Sequence, residues 1–581
     1  MPEERVINTS QSADLVTFTI LVEGEELSSR VQVKNIVVEK EINRIPNAQI
    51  VIIDGDPAAQ EFKVSDQDLF VPGKEVEIKA GYHSDEETVF KGIVIKHSLK
   101  IRSRQSFLIV ECKDKAVKMT IGRKSKYFYE STDSDILEEI IDGYSLEKEI
   151  ETTNVTHQKL VQYNVSDWDF CIIRAQANGK VCMVDEGKII IAKPDVTQDE
   201  IQTVSYGATL LDFDAEIDAR NQLQKVTSYG WSPADQELLE LEGNDPGISL
   251  NGNLTSEELA GVTSPENFEL KNGGEGSDSE LQEWANAKWL FNQMAKVRGR
   301  MKFQGIPEVK LGIVLKLAGV GDRFNGKVYI SGIRHQLAEG NWTVDAEFGI
   351  NPKWFSETFD INDLPAAGLV AAVNGLQIGI VTQLESDPDG EDRILVKLPI
   401  IDKDEEGIWA RIATLDAGDS RGSFFRPEIG DEVIVGFINE NPNDAVVLGM
   451  MNSSAKPAPL TTSDDNHEKG FVTRSEMKLI FNDDKKTVTI ETPGGNMLTL
   501  DEDQGGVFLE DENGNKATFN SDGITLESAA DLILKAMGDV NIEGTNVSVA
   551  ANAQFKAEGS AGAEVSSSAT AILKGAIVQI N

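Results

Sequence analysis

Cysteine and histidine are scarce in this chain, three and five residues out of 581, and each scarcity excludes a kind of chemistry. Cys112, Cys171 and Cys182 form no CxxC pair and no even framework. Neither a zinc knuckle nor a disulfide scaffold is therefore expected, and all three read as small buried apolar residues. The histidines at 83, 97, 157, 335 and 467 are scattered without the spacing of a metal site, so no metal and no cofactor is expected. Basic residues are outnumbered 55 to 97 by acidic ones, and the net charge of −42 repels phosphate backbones and anionic lipid. Nucleic acid is not expected as a partner. No run approaches the roughly 20 apolar residues of a membrane span. The opening MPEERVINTS lacks the basic start and apolar stretch of a signal peptide, so the expectation is a soluble protein synthesised in a cytoplasm without one.

What the chain does have is length and β alternation. Its 581 residues exceed what one core serves, and three to five domains are expected. Over 16–109, RVQVKNIVVEKEI and KEVEIKAGY alternate apolar with polar between the turn signals IPN, DGDP and VPGK. A first β-barrel is placed at 1–118. In the small α+β segment 119–202, TDSDILEEIIDGY predicts a helix with Ser134 as N-cap, and SDWDFCIIRAQANG a second one capped by Ser166 and ended by Gly179. A second barrel spans 203–370. Within it, 232–279 is rich in Gly, Asn, Ser and Glu without lasting period, which predicts a mobile acidic loop. A helix is expected over 281–298, closed by Gly299, with Trp284 and Phe291 on its core side. Short strands over 371–452 suit a five-stranded barrel of the OB type, and 453–470 reads as linker.

Beyond the linker the chain becomes a string of short strands, and from Gly523 to Val578 it falls into octets. The pairs Ile524/Leu526, Leu532/Leu534 and Val540/Ile542 step by eight. After one step of seven, Val547/Val549, Phe555/Ala557, Ala563/Val565 and Ala571/Leu573 step by eight again, so two residues per octet face one way. Ordering eight residues costs roughly 8–16 kcal/mol of backbone entropy, whereas burying two aliphatic side chains returns only about 3–6 kcal/mol. One chain alone cannot hold such a fold. An extended octet measures about 26 Å, enough for one side of a prism but not for a turn around it, so other copies must supply the remaining sides. The expectation over 471–581 is a homotrimeric β-prism whose core is Ile524, Leu526, Leu532, Leu534, Val540, Ile542, Val547, Val549, Phe555, Val565 and Leu573. A flexible low-complexity tail would have no reason to keep paired aliphatics in step. Single-chain β-helices usually use longer or six-residue repeats.

The segment 409–452, WARIATLDAGDSRGSFFRPEIGDEVIVGFINENPNDAVVLGMMN, resembles the OB domain of VgrG-type spike proteins and contractile phage spikes. SDWDFCIIRAQANGKVCMVDEGK resembles the middle of that family's hub region, and VPGKEVEIKAGY with VFKGIV its first barrel. The order of hub, OB barrel and prism covers nearly the whole chain. The resemblance implies a mainly β fold: two hub barrels with short helices, an OB-fold barrel and an intertwined trimeric spike. It implies a structural, non-enzymatic role as central hub and membrane-puncturing needle of a contractile injection machine, whether a type VI apparatus, a released phage-tail-like particle or a phage. The partners it implies are a hexameric inner-tube protein on the hub, baseplate proteins, and separate cargo effectors. A PAAR-like tip protein is implied on the end formed by Ala576, Ile577, Val578, Gln579, Ile580 and Asn581. The roughly twenty residues between barrel and prism leave no room for the lysozyme domain some phage relatives carry there.

Several motifs imitate other chemistry. Gly418-Asp419-Ser420-Arg421-Gly422 matches GxSxG, yet a nucleophile elbow needs a helix after the serine and SFFRPEIG supplies none. A serine hydrolase using Ser420 is thus the weaker alternative, and a trimeric surface adhesin or fibre, which would call for a secretion signal, is the other. Asp387, Asp389 and Glu391 begin like a calcium loop, but Leu398 stands where a bidentate acid is required, and a turn at Asp389-Gly390 is expected. Asp511-Glu512-Asn513-Gly514 also reads as a turn. Three copies of His467 would meet only on a threefold axis, and a solvated linker histidine is the plainer reading.

Overall fold

Alternation decides the first strands. On Gln32–Glu41 every second side chain points inward, so Ile36 and Val38 are fully buried and Lys40 comes next on that face, its charge answered by an ion pair with Asp185. The computed structural model describes residues 16–580, in two compact units that divide after Ala371. In the first unit the strands Asn47–Ile53, Glu75–Tyr82, Asp85–Ile101 and Ser106–Lys113 add Ile50, Ile52, Ile78, Val94, Leu108 and Val110 to one core. Residues 1–15 of the expected first barrel lie outside the described residues.

A second core gathers Met301, Phe303, Leu315, Val328, Ile330, Val344 and Phe348. The two hub cores are separate, but their strands are not separate sheets. Gln32–Glu41 pairs on its far edge with Gly326–Ala338, antiparallel from Gly332↔Glu41 to Ala338↔Asn35, which joins both halves into one 13-stranded sheet. Trp342 crosses from the second half into the first core, where its ring lies 5.6 Å from that of Tyr82. Joining satisfies the backbone groups that two edge strands would otherwise leave open. Among the described residues only the OB-type barrel closes on itself.

Helix α1 (Asp133–Asp142) and helix α2 (Asp167–Ala177) pack Ile136, Leu137, Ile141, Trp168, Cys171, Ile172 and Ala175 into a third core. Ser166 caps α2 as expected. The cap of α1 is Thr132 rather than Ser134: Thr132 Oγ1 accepts from the Asp135 amide at 3.2 Å, and Asp135 accepts from the Thr132 amide at 3.0 Å. Ser134 is instead buried, where its amide donates to Thr153. All three cysteines are buried and unbridged, and burial pushes the Cys112 thiol up to about 12.

The segment 232–279 is not a mobile loop. Glu237–Glu242 pairs antiparallel with Val226–Ser232, and Phe268–Glu275 pairs parallel on the other edge. Between them sits helix α3 (Ser256–Thr263), started by a capping box of Thr255 and Glu258. Leu259, Ala260 and Leu270 are buried, and Leu270 shares a core with Leu223, Val226, Ala285 and Trp289. The acids that made the segment look loop-like occupy its wet side, and two or three apolar anchors hold the other. Helix α4 runs Asp278–Met294, not 281–298, because Val297–Gln304 is already a strand. Gly299 lies inside that strand: a Cβ there would come within 2.3 Å of the Asp214 carbonyl oxygen. Phe291 is buried and Trp284 partly so, both on the core side as read.

In the second unit Gln377–Gln383, Ile394–Lys397, Ile408–Ile412, Glu432–Phe437 and Ala445–Met450 close the expected five-stranded barrel over Val381, Ile394, Val396, Ala410, Val433, Val435 and Val447. Seven five-residue strands come after it as an antiparallel ribbon: Glu468–Val472, Lys478–Asn482, Thr487–Glu491, Met497–Asp501, Gly506–Glu510, Lys516–Asn520 and Gly523–Glu527. From 528 to 580 neither a strand nor a backbone-to-backbone hydrogen bond occurs among the described residues.

Candidate functional site

In an antiparallel ladder, directly opposed residues share a face, as do residues two apart on one strand. Along the ribbon one row runs Phe471↔Leu479↔Ile490↔Leu498↔Leu509↔Ala517↔Leu526. The adjacent row runs Phe481↔Val488↔Leu500↔Val507↔Phe519↔Ile524. From Lys478 to Glu527 one face is therefore a stripe two side chains wide with no polar member, while on the first strand Lys469, opposite Phe481, stands beside Phe471. The opposite face presents Ile480, Thr489, Thr499, Phe508, Thr518 and Thr525.

Among the described residues no layer of the chain buries this stripe. Ile490 and Leu500 are each 48% exposed, and among the described residues no apolar side chain after Val447 is buried. The strip continues past the ribbon. Bends at 529–530, 537–538 and 545–546, then 552–553, 560–561, 568–569 and 576–577, repeat the eight-residue step with its single seven and fall between the aliphatic pairs. Leu532, Leu534, Val540, Ile542, Val547, Val549, Phe555 and Leu573 are all exposed, and Val565 is 92% so. At the end Ile577, Val578 and Ile580 are exposed as well, while Asn581 lies outside the described residues. Covering one such half-open aliphatic side chain is worth on the order of 1 kcal/mol, so a stripe of this length leaves an unusually large apolar surface open.

Besides Phe471, five pairs of stripe residues escape the sequence reading: Leu479/Phe481, Val488/Ile490, Leu498/Leu500, Val507/Leu509 and Ala517/Phe519. They carry the same apolar-x-apolar signature as the octets. Their pairs step by nine and ten, however, since each strand must reverse through a turn, and a search for period eight passes over them. One such turn is Asp511 to Asn515, as read: Asp511 Oδ1 accepts from the amides of Asn513 and Asn515 at 2.9 and 2.8 Å, and Gly514 takes φ +87°. Cross-strand ion pairs, Lys478 with Glu491 at 3.2 Å and Lys516 with Glu510 at 3.0 Å, lie on the opposite face beside the threonine row.

The imitative motifs are built for other ends. Ser420 sits at the tip of a hairpin between Ala417–Gly418 and Arg421–Gly422, and its hydroxyl donates to Asp419 at 3.2 Å. The next segment, 423–429, is not helical. In the calcium-like loop the place of a cation is taken by Arg393, whose Nη2 donates to Asp387 at 2.6 Å and also pairs with Asp389. Among the described residues no cluster of metal-ligating side chains is found, and no helix is long and apolar enough to cross a membrane.

One charged cluster is buried in the first unit. Asp133 Oδ1 accepts from Arg174 Nε at 2.6 Å, its Oδ2 from Asn178 at 2.9 Å and from His157 Nε2 at 3.0 Å, while His157 Nδ1 faces Glu280 at 3.0 Å. The hydrogen bond to Asp133, then that to Glu280, pushes His157 up to about 9. Burial works against the Asp133 charge, but its bonds to His157 and Arg174 outweigh that and hold it below the usual carboxylate range. This cluster ties α1, α2, the strand Thr156–Val165 and α4 together. It lacks any activated nucleophile.

Comparison with known proteins assigns these parts. The family profile described as the Alg8 N-terminal domain matches residues 12–339, more than half of the chain. The type VI secretion system/phage-baseplate injector OB domain matches 377–451, and the phage baseplate V C-terminal trimerisation domain matches 487–554. No curated protein sequence matches. Among solved structures, the prophage MuSo2 43 kDa tail protein from Shewanella oneidensis is 12% identical, with 58% of this chain and 98% of that one covered at a TM-score of 0.45. A type VI secretion component of E. coli is 13% identical over 74% of this chain and 99% of its own, TM-score 0.38. In the lidded PdpA-VgrG complex of Francisella the match is 11% identical over 89% and 81%, also at 0.38.

Proposed function

This chain belongs to the Alg8 N-terminal domain family and is a VgrG-type structural spike of a contractile injection machine, and from that premise we propose that its work is mechanical and resides in the apolar stripe. Three copies wind together so that the paired side chains from Leu479 to Leu573 stack on a common axis. The backbone groups from 528 to 580, which make no backbone-to-backbone hydrogen bond among the described residues, then pair between copies. Stiffness is the activity: hydrogen bonds running between chains share an axial load among every layer, and the needle transmits contraction into puncture of a target envelope.

The observation that carries this reading is the stripe itself, two apolar side chains wide from Leu479 onward and left unburied by the described residues of its own chain. Its far end, 576–581, exposes Ile577, Val578 and Ile580 and suits a small PAAR-like cap that closes the last strand edges. Two hub cores per chain, taken three times, supply the six positions on which a hexameric inner tube would sit, with baseplate proteins around it. Cargo effectors travel as separate chains. The protein is made in the cytoplasm and acts within the assembled particle, either anchored at the envelope or released. Mass photometry of the purified full chain is expected to give three times the 63.5 kDa chain mass. Ile542→Asp combined with Val549→Asp is expected to lower the apparent trimer affinity at least a hundredfold while the far-UV spectrum of hub and barrel is kept. A well-folded monomer for the unaltered chain would refute the proposal.

A further inference from the structure

The stripe does not begin at the ribbon. Phe471, its first member, stacks on Phe425 of the OB-type barrel with ring centroids 5.2 Å apart and planes 13° from parallel. Phe425 is itself exposed, beside Phe424 at 78% and Leu415 at 90% exposure. None of these three belongs to the barrel core. The hairpin that presents them is held by polar bonds: the Ser423 amide donates to the Asp416 carbonyl at 2.9 Å, and Arg421 pairs with Asp416 at 2.9 Å. Those bonds carry the hairpin one pair further, toward Leu415 on one strand and Phe424 on the other. A second tie, Arg474 to Glu428 at 2.8 Å, holds this corner of the barrel to the first turn of the ribbon.

Three large apolar side chains thus sit on a braced platform outside the barrel core, with only the stack of Phe425 on Phe471 and the Arg426 guanidinium over the Phe424 ring against them, an arrangement that costs solubility unless a partner covers the rest. Resting on the trimeric reading above, we infer that this partner is a second copy of the chain, and that the trimer seam starts in the barrel with Leu415, Phe424 and Phe425. Continuity selects the occupant. The Phe425 ring lies on the Phe471 ring, and the row that Phe471 heads is the surface the copies share; whatever covers the one covers the other. Cyclic assembly also lets one such patch meet a different patch on the next copy, so no self-complementary surface is required. The consequence is functional: the seam clamps each barrel to the needle, so load enters the spike through a shared joint rather than through three separate linkers.

Thiol accessibility tests this on the full chain, since Cys112, Cys171 and Cys182 are all buried. Leu415→Cys is expected to react with a maleimide at least tenfold more slowly than Ser420→Cys at the tip of the same hairpin, in a preparation shown by mass photometry to be trimeric. Adding Phe424→Ser to Leu415→Cys is expected to restore fast labelling while the trimer persists, because the stripe below is intact. A trimer in which the two cysteines label equally fast overturns this inference and leaves the trimeric spike standing. Protection that arises only in assembled particles also overturns it, as the cover is then another protein. A monomer overturns both.

Discussion

His157 and His335 set opposite pH limits on the first unit. His157 is raised to about 9 by its bond to Asp133, so it binds its proton more tightly folded than unfolded. The stabilisation is complete below the unfolded value of about 6.5 and is lost as pH rises through 9. His335 is fully enclosed, its Nδ1 accepting from Trp342 Nε1 at 3.3 Å, and burial lowers it to about 3. Its contribution is complete above about 6.5 and is lost as pH falls toward 3. Denaturant midpoints followed by tryptophan fluorescence are therefore expected to peak near neutrality. His157→Gln should remove the alkaline limb, on the order of 2–3 kcal/mol, and leave the acid limb in place. An alkaline limb unchanged in that variant would show that the cluster does not hold the helices. At this scale the sequence is legible unevenly. Ser166 is recognisable as a cap from its spacing to Asp169, whereas Thr132 loses to Ser134 because TDSD offers two capping residues and only tertiary burial of Ser134 separates them. His157 gives no signal at all, because Asp133, Arg174 and Glu280 are brought to it from three helices.

Among the elements, the segment 232–279 shows how composition misleads. Glu237, Glu240 and Glu242 look like a solvated run, and they are solvated, but the alternate residues Leu239 and Leu241 hold the strand while Leu259 anchors α3 and Leu270 the strand beyond it. Limited proteolysis with a protease that cuts after glutamate and aspartate is expected to leave 237–275 uncut under conditions that cleave the linker at Asp464 and Asp465. Thr255→Ala, which removes the α3 cap, should cost about 1 kcal/mol and open cleavage at Glu257 and Glu258. Rapid cutting of the unaltered segment would mean that it is the loop its composition suggests. The ribbon teaches the opposite lesson. Its strands are legible, yet their shared face is not, because antiparallel turns stretch the pair spacing to nine and ten and hide it from the octet rule.

At the scale of the molecule the proposed trimer makes the spike a stack of nearly equal layers, each touching only its neighbours. Stability in such a stack adds layer by layer. Removing octets one at a time from the C-terminus is expected to lower the dissociation temperature of the trimer in comparable steps, read by mass photometry after graded heating, with hub and barrel spectra unchanged. Full loss on removal of a single octet would place the trimer's strength in the tip rather than along its length. The sequence by itself determined the mainly β character, the five-stranded barrel and the need for other copies, because period two, turn residues and the cost of ordering an octet are local quantities. Only the tertiary structure decided that the hub halves share one sheet, that the acidic segment folds, and that the stripe reaches back through Phe471 to the barrel. Each of those depends on which strand edge or ring meets which across a long stretch of chain, and spacing along a sequence carries no record of that choice.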